Sequence, residues 1–350
     1  MDRRNVLKAA IAASLAAPFA GVWPAFAASE RERILATVHP ELRDVAARML
    51  EMMGDAPLNR DTLAAQRVGM AKWVGKPSAD IPFERRVIPV GKGHPDVAVY
   101  IVNARAGAAR PAILHTHGGG FVMGNAEGSV PALQDLCRQL DCVAVSVDYR
   151  LAPETTFAGS VEDNYAGLKW LHANADALGV DRARIAVMGE SAGGGHAALL
   201  AITARDRGEV PVCFQCLVYP MLDDRTGSSR AVPSHVGNII WNAEKNRFGW
   251  EGFLGMKPGG KRVPPAAVPA RVENLAGLPP AFIGVGTIDL FVDEDVEYAQ
   301  RLSATGVPVE LIVVPGGFHG FDNPAFPARV TRWFNEAKLD ALKSAFSIKI

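Results

Sequence analysis

From about residue 83 to the C-terminus, short apolar runs alternate with segments in which apolar residues recur every three or four positions. The runs 111–117, 142–148, 184–188, 212–219, 281–285 and 309–314 are too short for helices and show little polar alternation, as in strands buried on both faces. Two further extended segments lie near 83–90 and 97–102. Between the runs, residues 130–140, 161–177, 192–205, 293–305 and 329–346 have helical periodicity. Two more helices are expected ahead of the strands, over 60–74 and over 39–53, the latter with Leu42, Val45, Ala46, Met49 and Met53 on one face. This alternation predicts an α/β architecture, a largely parallel sheet covered by helices on both faces. One interval breaks the rhythm. Residues 222–279 carry Trp241, Phe248, Trp250 and Phe253 but no clear strand, and so long an excursion is expected to form a lid over the strand ends.

Composition narrows the partners. Apolar residues make up 49% and charged residues 21%, enough for a sizeable buried core. Lys+Arg and Asp+Glu balance at 37 each with no basic cluster, which argues against nucleic acid or a polybasic membrane patch. At the N-terminus, Arg3 and Arg4 precede an Ala-rich apolar stretch over 9–22, and Ala25-Phe26-Ala27 supplies a small-x-small cleavage site. That order predicts an export signal of the twin-arginine type over 1–27, a periplasmic or secreted mature chain, and no stable membrane insertion after signal removal. The cysteines are Cys137, Cys142, Cys213 and Cys216. The last two form C-x-x-C inside a strand-like run, where residues three apart face opposite ways, so they are read as structural thiols. No histidine-carboxylate cluster has zinc spacing, and neither a metal nor an organic cofactor is expected.

The candidate chemistry sits at the ends of the apolar runs. Gly189-Glu190-Ser191-Ala192-Gly193 fits G-x-S-x-G, which chance places in roughly one chain of this length in ten. Here the motif follows the run 184–188 and opens the helical segment 192–205. Strand, tight turn and helix are what a nucleophile elbow needs, since small neighbours let a strained backbone project the serine hydroxyl. His117-Gly118-Gly119-Gly120 follows the run ending at Thr116, and chance supplies such a string in roughly a few chains per thousand. Acyl transfer passes through a tetrahedral oxyanion, and glycine backbone N–H groups can approach it closely. The expected oxyanion donors are Gly119, Gly120 and Ala192, with Gly118 a further candidate. His117 is read as a structural member of the loop. A serine nucleophile also needs a base and an orienting carboxylate, which follow it in the order Ser, acid, His when it sits on such an elbow. His196 lies on the helix behind the nucleophile and His235 in the irregular interval. His319 follows the last apolar run between glycines and is the expected base; Asp289 follows 281–285 and is the expected acid. Asp293, Glu294 and Asp295 compete for that role, but a helix N-terminus is reason enough for them. Asp223 and Asp224 are remoter candidates.

Taken together, HTHGGGFVMG at 115–124, DYRLAPE at 148–154, GESAGG at 189–194, VGTIDLFVDED at 285–295 and GGFHGFD at 316–322 carry a resemblance. In order and spacing they are similar to the hormone-sensitive-lipase-like carboxylesterases, bacterial esterase family IV of the α/β-hydrolase superfamily, from about residue 35 to the end. The resemblance implies the α/β-hydrolase fold, with an eight-stranded, mostly parallel sheet flanked by helices and a helical cap. The chain then divides into the export signal at 1–27, N-terminal cap helices at 28–80, a catalytic domain from 81–221 and 280–350, and an inserted cap segment at 222–279. By the same resemblance Ser191, Asp289 and His319 form a triad, and the substrates are small-molecule esters of short to medium acyl chain, cleaved through an acyl-enzyme. Trp241, Trp250 and Phe253 are expected to shape the substrate pocket, with core packing the alternative for each. Glu190 stands where many relatives carry Asp, and Leu290 follows Asp289 where they carry Pro; neither change removes a required group. Relatives often form homodimers, so a homodimer is compatible with the reading. Amide or N-acetyl hydrolysis, as in the related arylacetamide deacetylases, stays open because it shares the acyl-enzyme. A ligand-binding receptor like those plants derive from this family also stays open, though His319 beside Ser191 and Asp289 argues against it.

Overall fold

The computed structural model describes residues 29–53, 57–71, 75–323 and 325–347; the segment expected to be an export signal lies outside them. The described chain separates at residue 36 into a short N-terminal unit and a large one. The short unit carries most of α1 (Glu30–Thr37), which the apolar pattern did not announce because its sequence, ERERILAT, is largely polar. Its start is set instead by a reciprocal cap. Ser29 N donates to Glu32 Oε2 at 2.7 Å and Glu32 N donates to Ser29 Oγ at 3.2 Å.

The large unit opens with α2 (Arg43–Met53) and α3 (Leu63–Ala71), followed by β1 (Phe83–Ile88), β2 (Val97–Val102) and β3 (Arg110–Thr116). It continues through α4 (Val130–Leu140), β4 (Val143–Asp148), α5 (Phe157–Ala173), α6 (Ala175–Leu178), β5 (Val180–Glu190) and α7 (Ala192–Arg207). It closes with β6 (Phe214–Val218), α8 (Ala243–Leu254), β7 (Ala281–Gly286), α9 (Val292–Ala304), β8 (Val309–Val314) and α10 (Arg329–Ala345). The eight strands form one sheet in the order β1-β2-β4-β3-β5-β6-β7-β8. β1 and β2 pair antiparallel, as do β2 and β4, and every other neighbouring pair is parallel. This is the α/β-hydrolase sheet. The chain winds from β3 outward to β4 and then returns past β3 to β5, so the loops leaving β3 and β5 flank the point where the winding reverses. Ligand sites form at such a switch point.

The strands are close to the expected runs, with physical reasons for the differences. β5 begins at Val180 rather than 184, because Val180 pairs with Arg110 ahead of a register shift between Arg110 and Ala112. The helix expected over 161–177 starts four residues earlier at Phe157 and breaks at Asn174. There the Asn174 side chain turns back to donate to Trp170 O at 2.8 Å, and Gly179 in the left-handed region stops the last turn. The interval 222–279 holds α8 and two 3₁₀ turns but no named strand. Its α8 is N-capped by Asn242, whose Oδ1 accepts from Lys245 N at 2.9 Å.

Leu114, Val145, Ile185, Val187, Leu217 and Ile283 carry the central core between sheet and helices. A second apolar block joins Leu63 of α3, Phe121 and Val122 after β3, Leu290 and Phe291 after β7, and Trp241, Trp250 and Phe253 of the 222–279 interval. It ties that interval to the C-terminal edge of the sheet. Among the described residues no helix is long and apolar enough to cross a membrane.

Candidate active site

Ser191 stands between β5 and α7 with φ 58° and ψ −125°, a conformation that costs a β-carbon-bearing residue on the order of 1–3 kcal/mol. The surroundings enforce it. Ser191 N donates to Val218 O and Ser191 O accepts from Met221 N, both at 2.9 Å. A β-carbon on Gly193 would lie 2.0 Å from Thr116 O, and one on Gly189 would lie 2.4 Å from the Gly193 backbone. The two glycines of G-x-S-x-G are therefore required by the close approach of β3, the elbow and α7.

The glycine loop leaves β3 beside this turn. A β-carbon on Gly118 would touch Ser191 Cβ at 3.5 Å and Glu190 O at 3.0 Å. Gly119 and Gly120 adopt φ 122° and 61°, and a β-carbon on either would overlap Met123 O or the Trp241 ring. Among the described residues, no backbone hydrogen-bond partner is taken by the N–H groups of Gly119, Gly120 and Ala192. His117 braces the loop. Its Nδ1 lies 2.9 Å from Gly118 O, its carbonyl accepts from Tyr149 OH at 2.7 Å, and its ring stacks on Tyr149 at 4.1 Å. Burial pushes the His117 pKa down to about 4, so its imidazole is neutral near pH 7.

His319, in the loop after β8, is brought to the same edge. Its Nε2 lies 2.9 Å from Ser191 Oγ and its Nδ1 lies 2.9 Å from Asp289 Oδ2. Asp289 is fully buried, and its Oδ1 accepts from Phe291 N at 3.0 Å. The imidazole edge packs against Phe291 and Tyr219, with ring centroids 5.3 and 4.7 Å away. The hydroxyl, imidazole and carboxylate thus form one hydrogen-bonded line. Three separate loops supply them, after β5, β7 and β8.

The other sequence candidates fall elsewhere. His196 is buried among Phe121, Tyr149 and Phe253, and burial lowers its pKa to about 3; His235 is exposed. Asp223 pairs with Arg225 and Arg230, and Asp224 with Arg271. Of the acidic residues opening α9, only Asp293 stays at the surface. Glu294 turns inward, where its Oε1 accepts from Leu222 N at 2.6 Å and Asp223 N at 3.1 Å, while Thr226 Oγ1 bonds Oε2. Burial raises the pKa of Glu294 and of Asp295. A helix-end charge therefore explains only Asp293. Trp250 and Phe253 are enclosed, packed against Phe121, whereas Trp241 lies against Gly120. Cys216 is buried and Cys213 partly so, and burial lifts their thiols to about 12 and 11. Among the described residues no group of His, Cys, Asp and Glu is arranged to hold a metal ion.

Several residues at the site carried no motif signal. Glu190 Oε2 lies 3.0 Å from His115 Nε2, whose Nδ1 is 2.9 Å from Ser146 Oγ. Burial pulls the Glu190 carboxyl upward, but the charge and hydrogen bond of His115, with Lys338, outweigh it and hold the pKa below its ordinary value. Arg67 on α3 donates to Val122 O at 2.7 Å, to Ala152 O at 2.9 Å and to both oxygens of Glu154, fastening α3 beside the glycine loop. Lys338 was visible in one respect: it falls on the buried stripe of α10 with Phe334 and Leu342, where an apolar residue is expected. A cavity of about 1030 Å³ adjoins the site, lined in part by Gly118, Glu190, Tyr219 and Gly320.

Residues 113–323 match the family model for the alpha/beta hydrolase fold. The chain is 39% identical over 221 residues to esterase LipI of Mycobacterium tuberculosis, covering 61% of this chain and 66% of that protein's length. It is 36% identical over 240 residues to carboxylesterase NlhH of the same species, covering 67% of this chain and 74% of the relative. Its structure is similar to that of a bacterial heroin esterase, with a TM-score of 0.81 and 34% identity over 89% of this chain and 99% of that one. The chain belongs to the α/β-hydrolase family. Within it, the chain is a carboxylic ester hydrolase of the hormone-sensitive-lipase-like group, bacterial family IV.

Proposed function

We propose that this chain is a serine carboxylesterase for short- to medium-chain esters, with Ser191 as nucleophile, His319 as general base and Asp289 as its orienting acid. The observation that carries the reading is the line from Ser191 Oγ through the His319 imidazole to Asp289, with 2.9 Å at each step. In this mechanism His319 Nε2 takes the hydroxyl proton as Ser191 Oγ bonds to the ester carbonyl carbon. Asp289 accepts Nδ1–H, fixing the tautomer and stabilising the imidazolium. The N–H groups of Gly119, Gly120 and Ala192, with Gly118 beside them, receive the oxyanion. The carbon–oxygen bond to the alcohol breaks as His319 returns the proton, and water, deprotonated by the same imidazole, releases the acid. A fluorophosphonate probe followed by peptide mapping tests the reading. Labelling confined to Ser191, and lost in S191A, is expected; an unlabelled, folded protein that hydrolyses no p-nitrophenyl ester from acetate to octanoate overturns it.

The N-terminal helices and the 222–279 interval are taken as the cap over this site, a reading supported for α3 and the interval by their shared apolar block and by Trp241 against Gly120. Export by the twin-arginine route to the periplasm or beyond is supported by Arg3, Arg4 and the Ala25-Phe26-Ala27 site. N-terminal sequencing of protein from a periplasmic extract is expected to begin at Ala28, and cytoplasmic protein that retains Met1 counts against export.

A further inference from the structure

The nucleophile and the base sit on different loops, and proton transfer needs them at hydrogen-bond distance. One side chain spans the two. The chain on both sides of Tyr219 is fastened to the nucleophile, since Val218 O accepts from Ser191 N and Met221 N donates to Ser191 O, each at 2.9 Å. Tyr219 itself takes φ 34°, and its N donates to Gly284 O at 2.6 Å, which locks it to β7. Its phenol then reaches across and donates to Asp322 Oδ1 at 2.6 Å. Asp322 is three residues past His319 on the same loop, and its Oδ2 accepts from Lys338 Nζ of α10 at 3.1 Å. On the way, the Tyr219 ring meets the His319 imidazole edge to face, 4.7 Å between centroids. Asn335 Nδ2 and Thr331 Oγ1 of α10 add bonds of 2.7 and 2.8 Å to the carbonyls of Asp322 and Phe321.

We propose that Tyr219, Asp322 and Lys338 form a strut that holds the His319 loop at its working distance from the Ser191 elbow, making all three positioning residues for ester cleavage. The inference rests on the serine-esterase reading above. Packing alone does not account for the trio. Phenylalanine and methionine at 219 and 338 would fill the same space without burying an ion pair, whose desolvation largely cancels its attraction. The side chains of Lys338 and Asp322 are 12% and 9% exposed, so their pairing has a fixed geometry rather than that of a mobile surface contact. A base displaced by about 1 Å from its attack position costs on the order of a hundredfold in rate, so a strut is felt in turnover before it is felt in substrate binding.

Y219F keeps the ring against His319 and removes only the hydroxyl. In the full chain, with p-nitrophenyl acetate, its kcat is expected to fall about tenfold with KM within twofold of wild type. K338R is expected to keep at least half of the wild-type kcat, and K338M to lose about tenfold. A Y219F kcat within twofold of wild type overturns the strut, as does a change confined to KM. If Y219F does not fold, K338R and K338M decide: equal turnover by the two overturns the proposal, whatever their melting temperatures. Should wild-type protein neither label at Ser191 nor turn over ester, it is the esterase reading that has failed, not the strut alone.

Discussion

Gly120 shows how closely single positions are determined at this site. Its φ of 61° lies in the left-handed region, and a β-carbon there would stand 2.1 Å from Trp241 Cη2. Trp241 cannot easily withdraw, because it is buried and its Nε1 donates to Asn246 Oδ1 at 3.2 Å. G120A must therefore displace either the indole or the loop that carries the proposed oxyanion donors. A misplaced donor costs about 10²–10³ in kcat, so a fall of that order on p-nitrophenyl acetate is expected. Pairing it with W241F, which removes the far edge of the indole, is expected to recover part of the loss. Recovery stays incomplete because alanine still pays about 1–2 kcal/mol for the left-handed backbone. Wild-type turnover by G120A alone would mean that the loop has slack the packing does not show.

At the scale of elements, legibility followed locality. β3, β5, β7 and β8 and the loops that leave them were readable because each couples a short apolar run to glycines, and both signals lie within about ten residues of chain. Ser191, Asp289 and His319 could be named for the same reason: each follows a different strand. α1 was missed because a Ser29–Glu32 cap, not an apolar face, defines it. The inward turn of Glu294 was missed because its partners, Leu222 N and Asp223 N, lie some seventy positions earlier. Arg67 was missed likewise: a lone arginine on a short helix says nothing until the fold brings Val122 O, Ala152 O and Glu154 to it. Lys338 is the intermediate case. Periodicity alone marks it as a charge on an apolar stripe, but only the fold shows that Asp322 meets it and that Tyr219 bonds the same carboxylate.

For the whole molecule, acidic and basic residues balance at 37 each, so net charge is small near pH 7, and buried groups with shifted pKa values contribute strongly to how stability responds to pH. His117 and His196 belong to one aromatic block behind the glycine loop, and burial lowers their pKa values from 6.5 to about 4 and about 3. Between those values and 6.5 the unfolded chain binds more protons than the folded one. The stability these histidines contribute is therefore complete above pH 6.5 and is lost as the pH falls toward 4, by up to about 1.4 kcal/mol per pH unit for each. Glu190, with its pKa held below 4.5, adds a loss that begins only under that pH. Glu294 and Asp295 act in the opposite sense. Their raised pKa values make the folded chain the better proton binder, so their contribution is complete at low pH and is lost as the pH rises. The two effects overlap and oppose each other between about pH 4 and 6.5, and melting temperatures of single variants across pH 4 to 9 separate them. H196F places a fourth aromatic ring beside Phe121, Tyr149 and Phe253 and is expected to make the descent between pH 6.5 and 4 shallower, His117 keeping its share, while leaving the curve above pH 6.5 unchanged. D295N, a neutral amide where the fold favours a neutral carboxyl, is expected to lessen the loss of stability with rising pH, a loss that begins above the ordinary aspartate value of 3.8. An H196F curve that runs parallel to the wild type between pH 6.5 and 4.5 would show that His196 is solvated by a route absent from its packing.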